Sequence, residues 1–405
     1  MATGWHTVIV GGGAAGLAAA IFCARKLGGE QVLLLEKAPR VGKKLLATGN
    51  GTCNITNRHA DPSHYHGADA ARFCAPALEA FPPSACVEFF RSLGIVCAPR
   101  EAGREYPLCE QAAAVLDCMR LELAALGVTE RCDAAVTAIR PTQNGFTVHT
   151  ADETVSARHV IVCTGGAASP SLGGSAEGYT LVTALGHRKT PLFPSIVQVK
   201  TDVTYVKAMK GLRTDATVRF LLDGKEQCSH TGELLFTEYG ISGPAVMQIS
   251  RAVGDWERRK RGVMTAQIDL LPSFSLTDLT AELSRRPKRP AEHFLTGLLN
   301  KRIGQTVCRA AGLSLTDPVN DPARLAHLIK AFPLTVHGTQ GFGGAQVTAG
   351  GIDTNDVDPH TMQSRLVKHL YLIGELLDID GDCGGYNLQW AWASAYAAAQ
   401  AVIGA

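Results

Sequence analysis

The run Thr7-Val8-Ile9-Val10 ends on Gly11-x-Gly13-x-x-Gly16, and Glu36 closes a second apolar run twenty positions after Gly16. Glycines at that spacing suit one kind of chemistry. The first permits a sharp turn, Gly13 with Ala14 and Ala15 lets backbone N–H groups approach a pyrophosphate, and Gly16 allows close packing of a helix on a strand. A carboxylate at position 36 can accept both hydroxyls of an adenosine ribose, and it disfavours a 2′-phosphate. The pattern selects FAD or NAD over NADP.

A second constellation lies at the far end of the chain. Gly374-Glu375 follows an apolar run, and Asp378, Asp380 and Gly384-Gly385-Tyr386-Asn387 precede a helical stretch. A second, distant dinucleotide contact points to FAD bound without a covalent link. Its ribityl chain needs another strand end, and a helix amino end near N1 and C2=O stabilises the anion formed on reduction. Thr164-Gly165-Gly166, after the apolar run Val160 to Cys163, marks a third return to the cofactor. Gly341-x-Gly343-Gly344 lacks the third glycine and a strand before it. No dedicated NAD domain is visible, so NADH or NADPH is expected as a transient donor that shares the substrate cleft.

These residues must be held by a sheet. Thr7 to Val10, a helix from Ala14 to Leu27 and a strand from Gln31 to Leu35 read as one βαβ unit, which requires parallel strands. Helical periodicity returns at Asp69 to Ala80, Ser84 to Leu93 and Glu110 to Leu126. Short strands follow at Ala134 to Ile139, Gly145 to Thr150 and His159 to Cys163. The texture changes near Pro191, where short alternating segments and the hairpin signal Asp223-Gly224 begin. Residues 275–331 read as a helical block with segments Ser275 to Ser284, Ala291 to Ala311 and Pro322 to Ala331. A strand from His369 to Gly374 and a helix from Asn387 to Val402 end the chain. The expected fold class is α/β, a Rossmann-type FAD domain with inserted β-rich and α-helical domains. Residues 1–190 plus 335–405 form the FAD domain, 191–270 the β-rich substrate domain and 271–334 the helical domain.

The 405 residues are 46% apolar and 19% charged, with 42 glycines and a formal charge of +2. That balance argues against a broad nucleic-acid surface and against disorder. Twelve cysteines never fall into a C-x-x-C pair, and His230 and His337 have no ligand partners at sensible spacing, so no metal is expected. The uncharged run from Thr7 to Ala24 is broken by glycines and lacks a basic region before it, which argues against a signal peptide or membrane span. A reducing cytoplasm fits the cysteine usage. Oligomeric state is left open.

With both ends read, the chain resembles a group of flavoproteins of the two-dinucleotide-binding-domain type that includes bacterial aminoacetone oxidases and bile-acid 3-dehydro-Δ4,6-reductase. The resemblance spans nearly the whole chain. It rests on GGGAAG at 11–16, Glu36-Lys37, Gly42 to Leu46, Thr48 to Asn57, Gly232 to Thr237, Gly240 to Pro244 and Gly374 to Asn387. The segment Cys53-Asn54-x-Thr56-Asn57 is its most specific part, and Thr52 departs from the arginine of many relatives. The resemblance implies that the 42–57 loop runs beside the flavin, with Lys43 or Lys44 at the pyrophosphate and Asn54 and Thr56 on the cofactor. It also implies that Val136, in a strand, contacts adenine through its backbone; Cys53 has no resolving cysteine nearby in sequence, so a packing role is expected of it rather than that of a reactive thiol.

Tyr386, whose position resembles the turn that faces the flavin pyrimidine in this group, and Tyr239, in the family-like FTEYGISGP segment, are the candidates for proton transfer. The expected reaction is NAD(P)H-dependent reduction of a C=C bond conjugated to a ketone, and the bile-acid branch of the resemblance implies an apolar 3-oxo-Δ4 or Δ4,6 steroid or bile acid as substrate. The alternative is a flavin amine oxidase acting on a small aminoketone such as aminoacetone, with O2 as acceptor. From a different class comes a flavoprotein that binds RNA or a protein partner and keeps FAD as a structural element.

Overall fold

The computed structural model describes residues 4–405, which divide into two compact units. Unit 1 holds the described residues up to Leu192 together with Val347–Ala405, and unit 2 holds Phe193–Gln346.

The strand Val32–Leu35 is buried at every position, and Trp5–Val10 at its last four. Apolar runs of this kind suit a parallel sheet covered on both faces. Trp5–Val10 lies between Val32–Leu35 and Thr154–Val162, parallel to both. Thr154–Val162 changes partners along its length: its first half pairs antiparallel with Gly145–His149, and its second half runs parallel with Leu370–Leu372. Registers Val10↔Leu35, Val10↔Val162 and Val162↔Leu372 align four carboxyl ends on one edge of the sheet. Ligands of open α/β sheets bind at such an edge.

Helix Ala14–Leu27 packs against the C-terminal helix Tyr386–Ile403. Ala18, Ala19 and Ala20 on one, and Ala393, Ala395, Ala398 and Ala399 on the other, are fully buried. The uncharged run near the start of the chain is therefore a buried strand, a glycine turn and a core helix, and among the described residues no helix is long and apolar enough to cross a membrane.

Unit 2 is a closed six-stranded barrel of Val199–Thr201, Gly240–Ser242, Lys225–Phe236, Arg213–Leu222, Met264–Asp269 and Phe332–Thr339. Asp223 and Gly224 form its two-residue hairpin loop, both with the positive φ that such a loop demands. Residues 271–334, read from the sequence as a separate domain, lie in the same unit as the barrel. Strand Phe332–Thr339 follows the helices yet closes the barrel, and Leu279, Ile303, Val307 and Ile329 of the helices share one apolar cluster with Val218, Phe220 and Ile268 of the strands.

Two local expectations are corrected. The helix read over 291–311 is two helices, Ala291–Phe294 and Lys301–Ala310, because the Asn300 side chain accepts from the Arg302 N–H and starts the second one afresh. Val136 is not in a strand. Pairing starts only at Ala138↔His149, which leaves Val136 in the connection before it.

Candidate functional site

The site begins where the aligned strands end. Gly11 leaves Trp5–Val10 with a φ of +112°, and its N–H donates to Leu35 O at 2.8 Å. A Cβ on Gly16 would fall 1.9 Å from Gly11 O, so this packing admits no side chain there. Gly13 caps the first helix without a side-chain hydrogen bond, no acidic residue occupies the first turn, and a Cβ on Gly13 would meet nothing within 4 Å. The amino end of this helix is open to an anion, with its orphan N–H groups at Gly13, Ala14 and Ala15.

Glu36 stands half-buried beside that turn. Its Oε2 accepts from Gly12 N at 2.6 Å and its Oε1 from Ala38 N at 2.8 Å. Each carboxylate oxygen has a further lone pair, so the backbone orients the group and leaves acceptors for a ribose diol. Lys37 points outward to Glu177 at 3.0 Å. Lys43 is exposed, whereas Lys44 is half-buried and donates to Glu375 Oε2 at 2.7 Å. Glu375 Oε1 in turn accepts from Thr348 N, so the Lys44 ammonium ties the 42–57 loop to the Gly374-Glu375 turn.

The other elements return to the same edge. Gly374, at a φ of +67°, is so close to the first helix that a Cβ would lie 3.1 Å from Ala15 Cβ. The Thr164 hydroxyl is buried without a partner, and the position of a Cβ on Gly165 faces open space. Asn54 is 8% exposed and its Oδ1 is likewise without a partner. The Thr56 hydroxyl donates to Gln389 Oε1 at 2.6 Å inside the core, which leaves its backbone for a cofactor contact. Gly385 caps the C-terminal helix at a φ of +101°, and a Cβ there would strike the Thr56 backbone at 2.6 Å. Asn387 holds the turn before it through both side-chain atoms, accepting from Gly381 N and donating to Gly381 O. Two helix amino ends without side-chain caps, two buried polar atoms without partners and glycines facing open space fit an extended dinucleotide such as FAD.

Tyr386 is buried. Its ring stacks on His64 at 4.4 Å between centroids, and its backbone carbonyl accepts from the Tyr65 hydroxyl. Burial first, then the Asp382 and Asp61 charges, push its phenol up, so it keeps its proton at neutral pH. Tyr239 belongs to unit 2, half-buried, with its carbonyl accepting from Thr201 N in the barrel. Val136 is half-buried in its connecting segment.

Several polar groups near the Gly384-Gly385 turn were not singled out by sequence reasoning. Asp382 accepts from His64 at 2.9 Å and His66 at 2.8 Å. Burial works to raise the Asp382 carboxyl, but the two imidazole hydrogen bonds outweigh it and hold the group below the usual carboxylate range. Asn57 donates to Gly384 O at 2.8 Å. Arg104 lies beside Gly384. Of these, Asn57 and Asp382 fall inside segments that the sequence already marked, whereas His64, His66 and Arg104 do not.

Cys53 is buried, with its thiol pushed up to about 11 chiefly by that burial, which fits packing rather than reactivity. All twelve cysteines are free, and among the described residues no group of three or more His, Cys, Asp or Glu is placed to hold a metal.

Comparison with known proteins matches residues 5–401 to the family described as HI0933-like protein Rossmann domain. A 3-dehydro-bile acid delta(4,6)-reductase of Clostridium scindens is 40% identical, over 97% of this chain and 98% of that protein. A ribosomal RNA dihydrouridine synthase of Escherichia coli is 32% identical, over 99% of this chain and 98% of its own length. Among solved structures, the 3-ketosteroid delta1-dehydrogenase of Sterolibacterium denitrificans covers 99% of both chains with a TM-score of 0.55 at 14% identity, a likeness of fold.

Proposed function

This chain belongs to the HI0933-like Rossmann family and is an FAD-dependent oxidoreductase, and from that premise we propose that it reduces a C=C bond conjugated to a carbonyl. The proposed substrate is a 3-oxo-Δ4 or Δ4,6 steroid or bile acid, with NADH or NADPH as donor. The observation that carries this reading is the 40% identity to a delta(4,6)-reductase over 97% of the chain. The reaction named for the Escherichia coli relative fits the same chemistry, because dihydrouridine is uridine with its ring C=C, next to a carbonyl, saturated.

Bound FAD supplies two-electron transfer to such a bond. The chain's own residues do the rest. Gly13, Ala14 and Ala15 bind the pyrophosphate through backbone N–H groups, Glu36 orients the ribose, and Thr164 and Asn54 offer buried polar atoms along the way. The amino end of Tyr386–Ile403 favours negative charge at the pyrimidine end. Tyr386, protonated and next to that helix end, gives the proton to the α carbon, and Tyr239 is the candidate from unit 2.

Charge favours a second reading, uridine within RNA. Unit 2 carries 20 Lys and Arg against 14 Asp and Glu, while the rest of the chain carries 19 against 23. The near-neutral total conceals a basic unit of the kind that meets phosphates. Incubation with NADPH and either substrate tests both readings by mass. A steroid product two mass units heavier supports the first and a dihydrouridine in RNA the second. Hydrogen peroxide from aminoacetone, with neither product, refutes both.

A further inference from the structure

Arg104 opens the strand Arg104–Pro107 and pairs in register with Asn57. It is half-buried, and its Nε lies 3.4 Å from the place a Cβ on Gly384 would take. Its charge is felt by Tyr106, Cys383 and Tyr386. Yet its guanidinium has no ion pair and no side-chain hydrogen bond among the described residues. Neighbouring carboxylates are engaged elsewhere: Glu105 with Arg58, Asp382 with His64 and His66. The arginine also stands beside the amino end of an 18-residue helix, whose dipole presents positive charge. A half-buried cation left against another positive end is costly unless an anion completes it. A separate observation shows that a ligand group belongs beside the same turn: Asn54, more than nine-tenths buried, has an unpartnered Oδ1 3.0 Å from the position of a Cβ on Gly385, an acceptor for an N–H or O–H of that ligand and not for the anionic oxygen itself.

We propose that the Arg104 guanidinium, beside the helix end assigned above to the flavin pyrimidine, is an oxyanion site that takes the carbonyl oxygen of the substrate. The inference rests on the reduction proposed above and names the residue that makes it possible. A hydride equivalent, two electrons with one proton, originating from the nicotinamide, reaches the β carbon. The π pair of the C=C shifts toward the carbonyl, whose oxygen becomes an enolate held by the guanidinium. When the α carbon takes a proton from Tyr386 the carbonyl re-forms, and water returns the proton to Tyr386. A planar fork of N–H donors suits an oxygen whose charge grows during reaction.

The test uses oxidised holoenzyme and 4-nitrophenol, whose phenolate mimics an enolate oxygen and reports its own ionisation by colour. Wild-type protein should bind it as the phenolate at a pH where it is neutral in water. R104Q should weaken that binding about 10- to 100-fold, the loss expected for hydrogen bonds to a charged group, and R104K should recover part of it. Binding of the neutral phenol by wild type, or no binding, overturns the site even if R104Q fails to keep FAD. Unchanged phenolate affinity in R104Q, with a weaker flavin–sulfite adduct and a lower flavin potential, also overturns it by assigning Arg104 to the cofactor. If phenolate binding depends on Arg104 but wild type reduces no enone or uridine, the oxyanion site stands and the proposed reaction falls.

Discussion

Unit 1 and unit 2 solve the problem of presenting polar groups in opposite ways. Unit 1 aligns four strand ends on one edge and follows three of them with glycine turns at Gly11, Gly165 and Gly374, so crowded backbone shapes that edge. Unit 2 closes its strands into a barrel with no such edge, and its excess positive charge sits on side chains such as Arg285, Lys288 and Arg289, all exposed. Backbone geometry tolerates almost no substitution where it is crowded. Surface charge tolerates a great deal.

The sharpest way to break the comparison is Gly16→Val. With Gly11 O only 1.9 Å from the new Cβ, unit 1 should lose more than about 4 kcal/mol and all of its flavin absorbance. Gly304→Ala in unit 2 meets only the Leu295 side chain at 2.9 Å and should keep the yellow colour, as a melting curve and a visible spectrum would show. Next comes Lys330→Met. Lys330 pairs with Asp269 at 2.6 Å, and Asp269 is buried. Stranding that carboxylate should cost unit 2 about 3 to 5 kcal/mol in denaturant unfolding, while flavin content at low temperature stays unchanged.

Glu36→Ala should weaken FAD retention by about 1 to 3 kcal/mol, roughly a tenfold to hundredfold rise in Kd by equilibrium dialysis. Acid should also separate the two units. His159 is driven down to about 3, first by burial and then by His6, His369 and Arg158. The unfolded chain takes up that proton near 6.5 and the folded one does not, so the contribution is full above 6.5 and is lost as pH falls from there toward 3. The melting temperature of unit 1 should therefore fall with pH across that window, and His159→Gln should flatten the fall. The smallest effect is expected from reversing Arg285, Lys288 and Arg289 to Glu. Stability should shift by less than about 0.5 kcal/mol, and steroid reduction should persist, whereas on the RNA reading the affinity for RNA drops and loses part of its salt dependence.

What the sequence disclosed follows from how far apart the interacting residues lie. Gly11 to Glu36 is one local βαβ unit, so spacing alone carried its meaning. The pairing of Gly374-Glu375 with that unit was legible because each end repeats the strand-then-glycine pattern. Lys44 was read only as a candidate for phosphate, since its partner Glu375 stands 331 positions away. The side chains of Thr56 and Asn387, both cofactor candidates, also hold Gln389 and the Gly381 turn, partners that only the fold brings within reach. The barrel concealed its last strand behind the helices, and so the division near residue 334 fell inside Phe332–Thr339. Arg104 and His64 carry no motif, and Asp382 sits in the marked 374–387 segment without a role that its spacing reveals. They meet because Arg104 pairs with Asn57 and because Tyr65–His66 pairs with Asp380–Gly381.

The central claim is that electrons enter this site from a nicotinamide and leave to a C=C bond beside a carbonyl. Anaerobic half-reactions of the purified holoenzyme measure both steps on one chromophore. NADH or NADPH should bleach the flavin, and a 3-oxo-Δ4 steroid, or on the second reading a uridine-containing RNA, should restore its colour with one bond saturated per flavin. A flavin that no nicotinamide bleaches, but that aminoacetone reduces with peroxide formed on admitting air, would contradict the account.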